Sequence, residues 1–423
     1  MKKFCVLLFA VSLGASAQSV KECNYRFSTY LNFHNSLNSQ VRFEADKIIV
    51  KQAGALQKQV FYADELPTLS VFFAGSDESA QQNLLQNKGS KHFTKLQLDS
   101  IKKSVEASKF MYDKNATQPL KGIRIALDAG HSAITLKEAA WEQKYLYFAR
   151  TAGSTDSVKI FESALSFATA SSIKKKLEEM GAEVMMTRYQ QDHTSFGCSL
   201  SEWMRHRKKH LDSLLKCGGI SAAKYKAIYN ANEYKVFWEF FRDYDLGHRA
   251  DLINAFKPHV TLIVHYNVDE KNVPWQQTVD KNFTMSFIAG AMTADQMDNA
   301  NARRQFVRLL LSKQLNESEK LSSKTVQAFH ANLGIEIASK GDADYLLKNC
   351  NATNSKGVFC RNLALCRKIN SVLVYGECLY QDNTKESKLL MENGTSFGSG
   401  KTNDRVEAVA KSYIEGLLGW LEK

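Results

Sequence analysis

The chain has 423 residues, enough for one large core or two modest ones. Its content of 44% hydrophobic and 24% charged residues is that of a soluble globular protein and excludes a disordered or low-complexity polymer. The formal charge of +12 directs attention to anionic partners.

The first residues predict a secretory signal peptide over residues 1–17. Lys2 and Lys3 precede an apolar run from Phe4 to Leu13, and Ala15-Ser16-Ala17 supplies small residues for cleavage after Ala17. Cys5 lies inside the apolar run, which argues against a lipid-anchored cysteine. Beyond it no segment approaches ~18 uninterrupted apolar residues, so no transmembrane segment is expected and the mature protein is read as exported, periplasmic or secreted. Without Lys2 and Lys3 the charge is +10. For an exported protein that charge suits the anionic cell envelope and not nucleic acid, or else is a basic surface with no specific partner.

Residues 18–118 form an N-terminal region to which the sequence assigns no chemistry. VRFEADKIIV from Val41, KQVFYA from Lys58 and LSVFFAG from Leu69 read as strands, followed by a polar helical tract from about Ser79 to Tyr112. Asp113 to Leu120, with Pro119, reads as a linker. From there the chain alternates strand and helix. IRIALDAG from Ile123 is a strand. In the helix expected over Phe161–Met180, Phe161, Ala164, Leu165, Ala168, Ile173, Leu177 and Met180 recur at helical spacing, and Gly181 follows as a cap. AEVMMTR is a second strand, GHRADLINAF a helix, VTLIVHYN from Val260 a third strand and SVLVYGE from Ser371 a fourth; an amphipathic helix from Asp404 to Leu421 closes the chain. Strands and helices joined by short loops imply parallel pairing. The expected fold is α/β: a doubly wound, mostly parallel sheet with flanking helices and helical insertions, plus a small N-terminal α+β region.

Two stretches interrupt this order, 132–158 and 189–246. The aromatic residues of the second (Trp203, Tyr225, Tyr229, Phe237, Trp238, Phe240, Phe241) read as the core of a helical insertion. Seven cysteines remain after the signal peptide: 23, 198, 217, 350, 360, 366 and 378. The odd count leaves at least one thiol unpaired, and the late cluster allows loops such as Cys350–Cys360 or Cys366–Cys378, with the connectivity open. No spacing suggests a thiolate zinc site.

In parallel sheets of this kind, the loops at the carboxyl ends of the strands line the ligand crevice. His131 follows the first strand, His265 ends the third, Glu377 ends the fourth, and Glu162 opens the first crossover helix. Two imidazoles and a carboxylate are the ligand set of an open catalytic zinc, and a further carboxylate supplies a general base.

These residues resemble the zinc-dependent N-acetylmuramoyl-L-alanine amidases of type 3, a family of cell-wall hydrolases, over about 300 residues. ALDAGH is similar to the family's strand–D-x-G-H opening, and FESALSFATASSIKKKLEEMGAEVMMTR to its glutamate-initiated helix, Gly-Ala turn, strand and Thr-Arg. Arg249, Asn254 and His265-Tyr-Asn follow the family's Arg, an Asn five residues on, and His-x-Asn. GVFCRNLALCRKINSVLVYGE resembles the segment carrying its catalytic glutamate. The resemblance implies one Zn2+ held by His131, Glu162 and His265, with Glu377 catalytic and peptidoglycan as substrate. It also implies supporting or substrate-binding roles for Asp128, Arg249, Asn254 and Asn267. Asp128 would brace the His131 turn or its imidazole, and Asn267 would orient His265 or the substrate.

The chain departs from the pattern in places. Ser132 and Ala133 replace glycines, and the gap from His131 to Glu162 is long, which leaves Glu138 and Glu142 as rival ligands. Tyr375 stands where the catalytic glutamate usually falls; Glu377 is two residues later and on the same strand face. His259 replaces an Asp at the far end of the third strand and reads as structural. Residues 132–158 leave the sheet beside one expected ligand and return beside another. They either shape the groove or cover it, and a cover would call for an activator protein. Two other functions fit the same residues: a metal-free envelope-binding protein, separable by metal content, and a zinc peptidase of the stem peptide, separable by product masses.

Overall fold

The computed structural model describes residues 19–51, 58–103, 112–133, 135–149, 157–392 and 402–422. The signal peptide expected at 1–17 lies outside them. The N-terminal region holds a three-stranded antiparallel sheet of β1 (Val41–Phe43), β2 (Lys47–Lys51) and β3 (Lys58–Tyr62). LSVFFAG, expected as a strand, lies in the helix Leu66–Gly75 with Pro67 in its first turn. A short apolar run fits either element by periodicity, and Pro67 pre-sets the backbone for a helix start. The polar tract from Ser79 is two helices, Glu78–Lys88 and Lys95–Lys103. Gly89, at a φ of +45°, ends the first. Beyond Lys103 the expected tract falls on residues 104–111, outside those described.

Two short strands, β5 (Tyr145–Ala149) and β6 (Ser157–Phe161), form an antiparallel pair. Among the described residues the central sheet has eight strands. β7 (Glu183–Met186), β4 (Arg124–Ala129), β8 (Val260–Asn267) and β13 (Val372–Tyr380) are parallel neighbours in that order. β9 (Phe283–Ala289) then pairs antiparallel with β13, and β12 (Val358–Arg361) runs parallel to β9. β11 (Cys350–Ala352) forms the edge and β10 (Glu336–Ile337) adds to β9. The sheet is therefore mostly parallel, as expected, with an extension built from residues 283–361.

Burial on both faces explains the sequences of the inner strands. Every residue of β8 is buried, the pattern of a central parallel strand. Ile125, Leu127 and Ala129 of β4, with Leu262, Val264 and Tyr266 of β8, pack into one core beneath the helices Glu162–Glu179, Gln314–Leu333 and Asp404–Leu421. Ala126 and Ile263 point the other way, into a core shared with Ala250, Ile253 and Phe306. Ile48, Val50, Phe61 and Phe73 of the N-terminal region belong to that second core.

The helix Glu162–Glu179 begins one residue later than its sequence pattern suggests, because Phe161 is the last residue of β6. Residues 199–241 form short helices around Leu200, Trp203, Leu211, Phe237, Phe240 and Phe241, so the aromatic stripe is the insertion's own core. The seven described cysteines are all free. Cys350 and Cys360 sit on paired strands but out of register, Cys350 facing Arg361 and Cys360 facing Asn351.

Candidate metal centre

β4, β8 and β13 end at the same edge of the sheet. Ala129 lies beside Val264 and Glu377 beside His265 in the strand registers. The chain leaves β4 through Gly130, whose N–H donates to the Val264 carbonyl at 3.0 Å. His131 then turns out of the sheet with a φ of +59°. A non-glycine residue in that region carries backbone strain and must be held by its surroundings.

Two buried arginines do the holding. Arg249 donates to the carbonyls of Ala129 (2.9 Å) and His131 (3.3 Å), and is itself held by Asp245 (2.7 Å) and Asp128 (3.3 Å). Arg188 donates to the carbonyls of Ala129, Gly130 and Ser163. Burial lowers the pKa of Arg188 to about 9, and the neighbouring Arg249 charge adds to the effect. Asp128, fully buried, accepts from the Thr187 hydroxyl (2.6 Å) and from Arg249, so it touches the His131 turn through Arg249 and not through the imidazole.

His131, Glu162 and His265 each offer a ligand atom, and the three atoms lie within 4.8 Å of one another. Glu162 Oε1 is 3.3 Å from His131 Nε2 and 2.7 Å from His265 Nδ1. Donor atoms around one tetrahedral zinc stand about 3.4 Å apart, so the set has the right chemistry and nearly the right spacing. Glu162 Oε2 is buried and meets no donor, and neither does Glu377 Oε2. Buried carboxylate oxygens without partners are costly, and a cation among them removes that cost.

Charge is unevenly shared in the cluster. Burial opposes ionisation of Glu162, yet the two histidines outweigh it and hold the carboxyl well below its usual range. Burial also disfavours a charged His131, but Glu162 and Glu142 raise its pKa to about 10. His265 moves the other way: burial lowers it, and Glu162 only partly offsets this. Burial, with the Glu162 charge, lifts Glu377 to about 7, against the pull of Lys144, Arg361 and His131.

The other residues singled out in the sequence fall in two places. Asn267 stays near the crevice edge, donating to the Tyr345 hydroxyl at 2.9 Å and accepting from the Val268 N–H. Asn254 does not join the cluster: it brackets Lys368 and Asn370 just before β13, at the opposite edge of the sheet. His259 also lies at that edge, where its Nδ1 accepts the Arg124 N–H at 2.9 Å. Glu138 caps its own helix at Thr135 and accepts from the Ser201 N–H at 3.1 Å and from the Ser201 hydroxyl.

Residues 125–398 match the family model described as N-acetylmuramoyl-L-alanine amidase. The chain belongs to that family. It is an amidase of the class that acts on peptidoglycan. Among solved structures it is similar to the CwlD amidase of Clostridioides difficile in complex with the GerS lipoprotein, at 15% identity over 71% of this chain and 98% of that one, with a TM-score of 0.37. Ami1 of Mycobacterium smegmatis gives 14%, 72%, 98% and 0.38. The catalytic domain of CwlV from Bacillus (Paenibacillus) polymyxa gives 14%, 71%, 98% and 0.34. No curated protein matches the chain.

Three features of this amidase's site escaped the sequence. Tyr375 stacks on the His265 ring, with centroids 4.3 Å apart and planes at 11°. Arg188 was visible only as the end of a Thr-Arg motif. Glu142, considered as a ligand, instead accepts the Ser132 N–H at 2.9 Å and the Ala133 N–H at 3.2 Å, and faces His131 Nδ1 at 3.4 Å.

Proposed function

We propose that the chain is an exported, zinc-dependent enzyme that hydrolyses the amide between the lactyl group of N-acetylmuramic acid and L-alanine in peptidoglycan. The observation that carries this reading is the convergence of His131, Glu162 and His265 on one point, with a donorless Glu162 oxygen beside it. These three residues would hold the ion. Bound there, zinc supplies a Lewis acid that polarises the scissile carbonyl and acidifies water.

The protein's own part begins with Glu377. Its carboxylate, buried on β13 beside His265 with an oxygen free of donors, takes the proton of the attacking water. It then delivers that proton to the departing amine, so the leaving group departs neutral. A base held near neutrality is suited to both halves of that transfer. The Tyr375 ring against His265 and the His265–Glu162 contact fix the plane of one imidazole. Arg188 and Arg249 fix the backbone that carries the other.

The segment 132–158 supports a groove-shaping role. Leu146 and Val158 are buried in the main core, and Glu142 is built into the His131 turn. An activator that displaced this segment would dismantle the site. Among the described residues no helix is long and apolar enough to cross a membrane.

The deciding experiment incubates the purified mature protein with sacculi, with and without zinc, and identifies the products by mass. Free stem peptides beginning with L-alanine, released only with zinc, are expected. Cleavage within the stem peptide would make the chain a peptidase instead.

A further inference from the structure

We propose that Glu142 is the positioning residue for His131, accepting a hydrogen bond from its Nδ1–H so that the Nε2 lone pair faces the ion beside Glu162. This rests on the zinc reading above and adds a role for a residue outside the ligand set.

The geometry gives Glu142 two tasks at one point. Its Oε1 takes the Ser132 N–H at 2.9 Å and the Ser132 hydroxyl at 3.3 Å. Its Oε2 takes the Ala133 N–H at 3.2 Å and lies 3.4 Å from His131 Nδ1. On the far side of the same ring, Nε2 is 3.3 Å from Glu162 Oε1. One imidazole is thus clamped between two carboxylates, each facing a different nitrogen. Neutral imidazole has one N–H and one lone pair, so the partner of one nitrogen decides what the other can do. A carboxylate on Nδ1 favours the tautomer whose Nε2 is free to bind metal, and makes that nitrogen more basic.

The surrounding chain is arranged to aim this carboxylate. Glu142 is the last residue of the helix Leu136–Glu142, which opens with a capping box between Thr135 and Glu138. Gln143, at a φ of +59°, turns the chain out of the helix into β5. β5 pairs with β6, and β6 runs directly into Glu162. The segment therefore leaves one proposed ligand, returns a carboxylate to its ring, and arrives at the next ligand. Glu142 is only 6% exposed at its side chain, whereas His131 is 19% exposed. The support is consequently on the inner side of the ring and the solvent on the outer.

This arrangement also explains the long interval between His131 and Glu162. His131 heads this segment, with its backbone held by the two arginines and its ring partly open to solvent. A short connection has no helix end from which to hold it.

The test uses the full mature protein and zinc itself, titrated against a chromophoric chelator. Glu142→Gln keeps the size of the side chain but loses the charge and one acceptor. It should bind zinc about 10- to 100-fold more weakly, the usual effect of removing a ligand's hydrogen-bond partner. Glu142→Asp should recover part of the loss, because the charge returns one methylene short. The visible spectrum of the cobalt-substituted protein should shift in both variants. Glu138→Gln, on the same helix and bonded to Ser201, should bind as wild type does. Equal weakening in the Glu138 and Glu142 variants would reduce the helix to a general support and overturn the proposal. So would a Glu142→Gln protein of wild-type affinity. If Glu142→Gln does not fold, the aspartate variant decides by the same two measurements. A wild-type protein that takes up no zinc would instead sink the underlying zinc reading, a result distinct from either.

Discussion

Gly130 lies directly against the ring of His265: a Cβ at this position would stand 2.3 Å from Cε1 and 2.6 Å from Nδ1. The glycine of the D-A-G-H sequence is therefore required by a residue 135 positions later, and it is the absence of a side chain that lets two proposed ligands approach.

Gly130→Ala should consequently push the His265 ring off its present position while leaving the sheet intact. A misplacement of about 1 Å costs on the order of 10²-fold in rate, and zinc affinity should fall with it. Far-ultraviolet circular dichroism and zinc content of the purified variant check the two halves. A variant with full zinc and normal turnover would mean that the ring can move aside without consequence.

His131→Ala and His265→Ala should each emerge from purification without zinc, because two remaining ligands seldom retain a catalytic ion. Glu138→Gln should keep it, since both Glu138 oxygens are already engaged by Thr135 and Ser201. Metal analysis of the three proteins suffices. Full occupancy in either histidine variant removes that residue from the ligand set.

Glu377→Gln should retain zinc and lose roughly 10²-fold or more in kcat, the scale of general acid–base work. The sign of the pH effect follows from its raised pKa of about 7. Below that value the carboxyl is protonated and cannot accept a proton, so the rate falls as the solution becomes more acidic. A divalent cation nearby favours the charged carboxylate and moves this limb to lower pH. The acid limb is therefore expected at or below pH 7 in the wild type and absent from the residual activity of the Gln variant. A limb that persists unchanged belongs to another group.

How much of this was written locally in the sequence depends on how far each contact reaches. IRIALDAGH was readable because strand, turn and ligand are consecutive, and Glu162 because it opens a helix with a regular apolar period. Glu377 was proposed through its two-residue offset from Tyr375, and the strand register sets it beside His265. Asn254 was misleading: its spacing from Arg249 keeps both on one helix, but five residues along the axis carry it to the other edge of the sheet. Glu142 was visible as a carboxylate and illegible as a partner of His131, since that contact depends on the path of the segment 132–149. The helix Leu66–Gly75 was missed because LSVFFAG is a short, mostly apolar run that fits a strand or a helix equally well.

The last prediction concerns stability and sets His259 apart from the site histidines. Its Nδ1 accepts the Arg124 N–H at 2.9 Å, a role open only to the unprotonated nitrogen. Burial, helped by the nearby Arg124 charge, lowers its pKa to about 4. The unfolded chain restores a value near 6.5. Between these values the unfolded state binds a proton that the folded state refuses. The contribution is thus fully present above pH 6.5 and is lost as the pH falls toward 4. His259 is only partly buried, so solvent screening trims this to about 1 kcal/mol between pH 7 and 5. His259→Asn offers an acceptor oxygen for the same N–H and has no proton to gain. Urea unfolding at pH 7 and pH 5 should show a smaller acid loss in the variant than in the wild type by that amount. Subtraction cancels the other titrating groups, which are common to both proteins. Parallel losses would show that His259 binds its proton equally well in the folded and unfolded states, and would overturn this contribution.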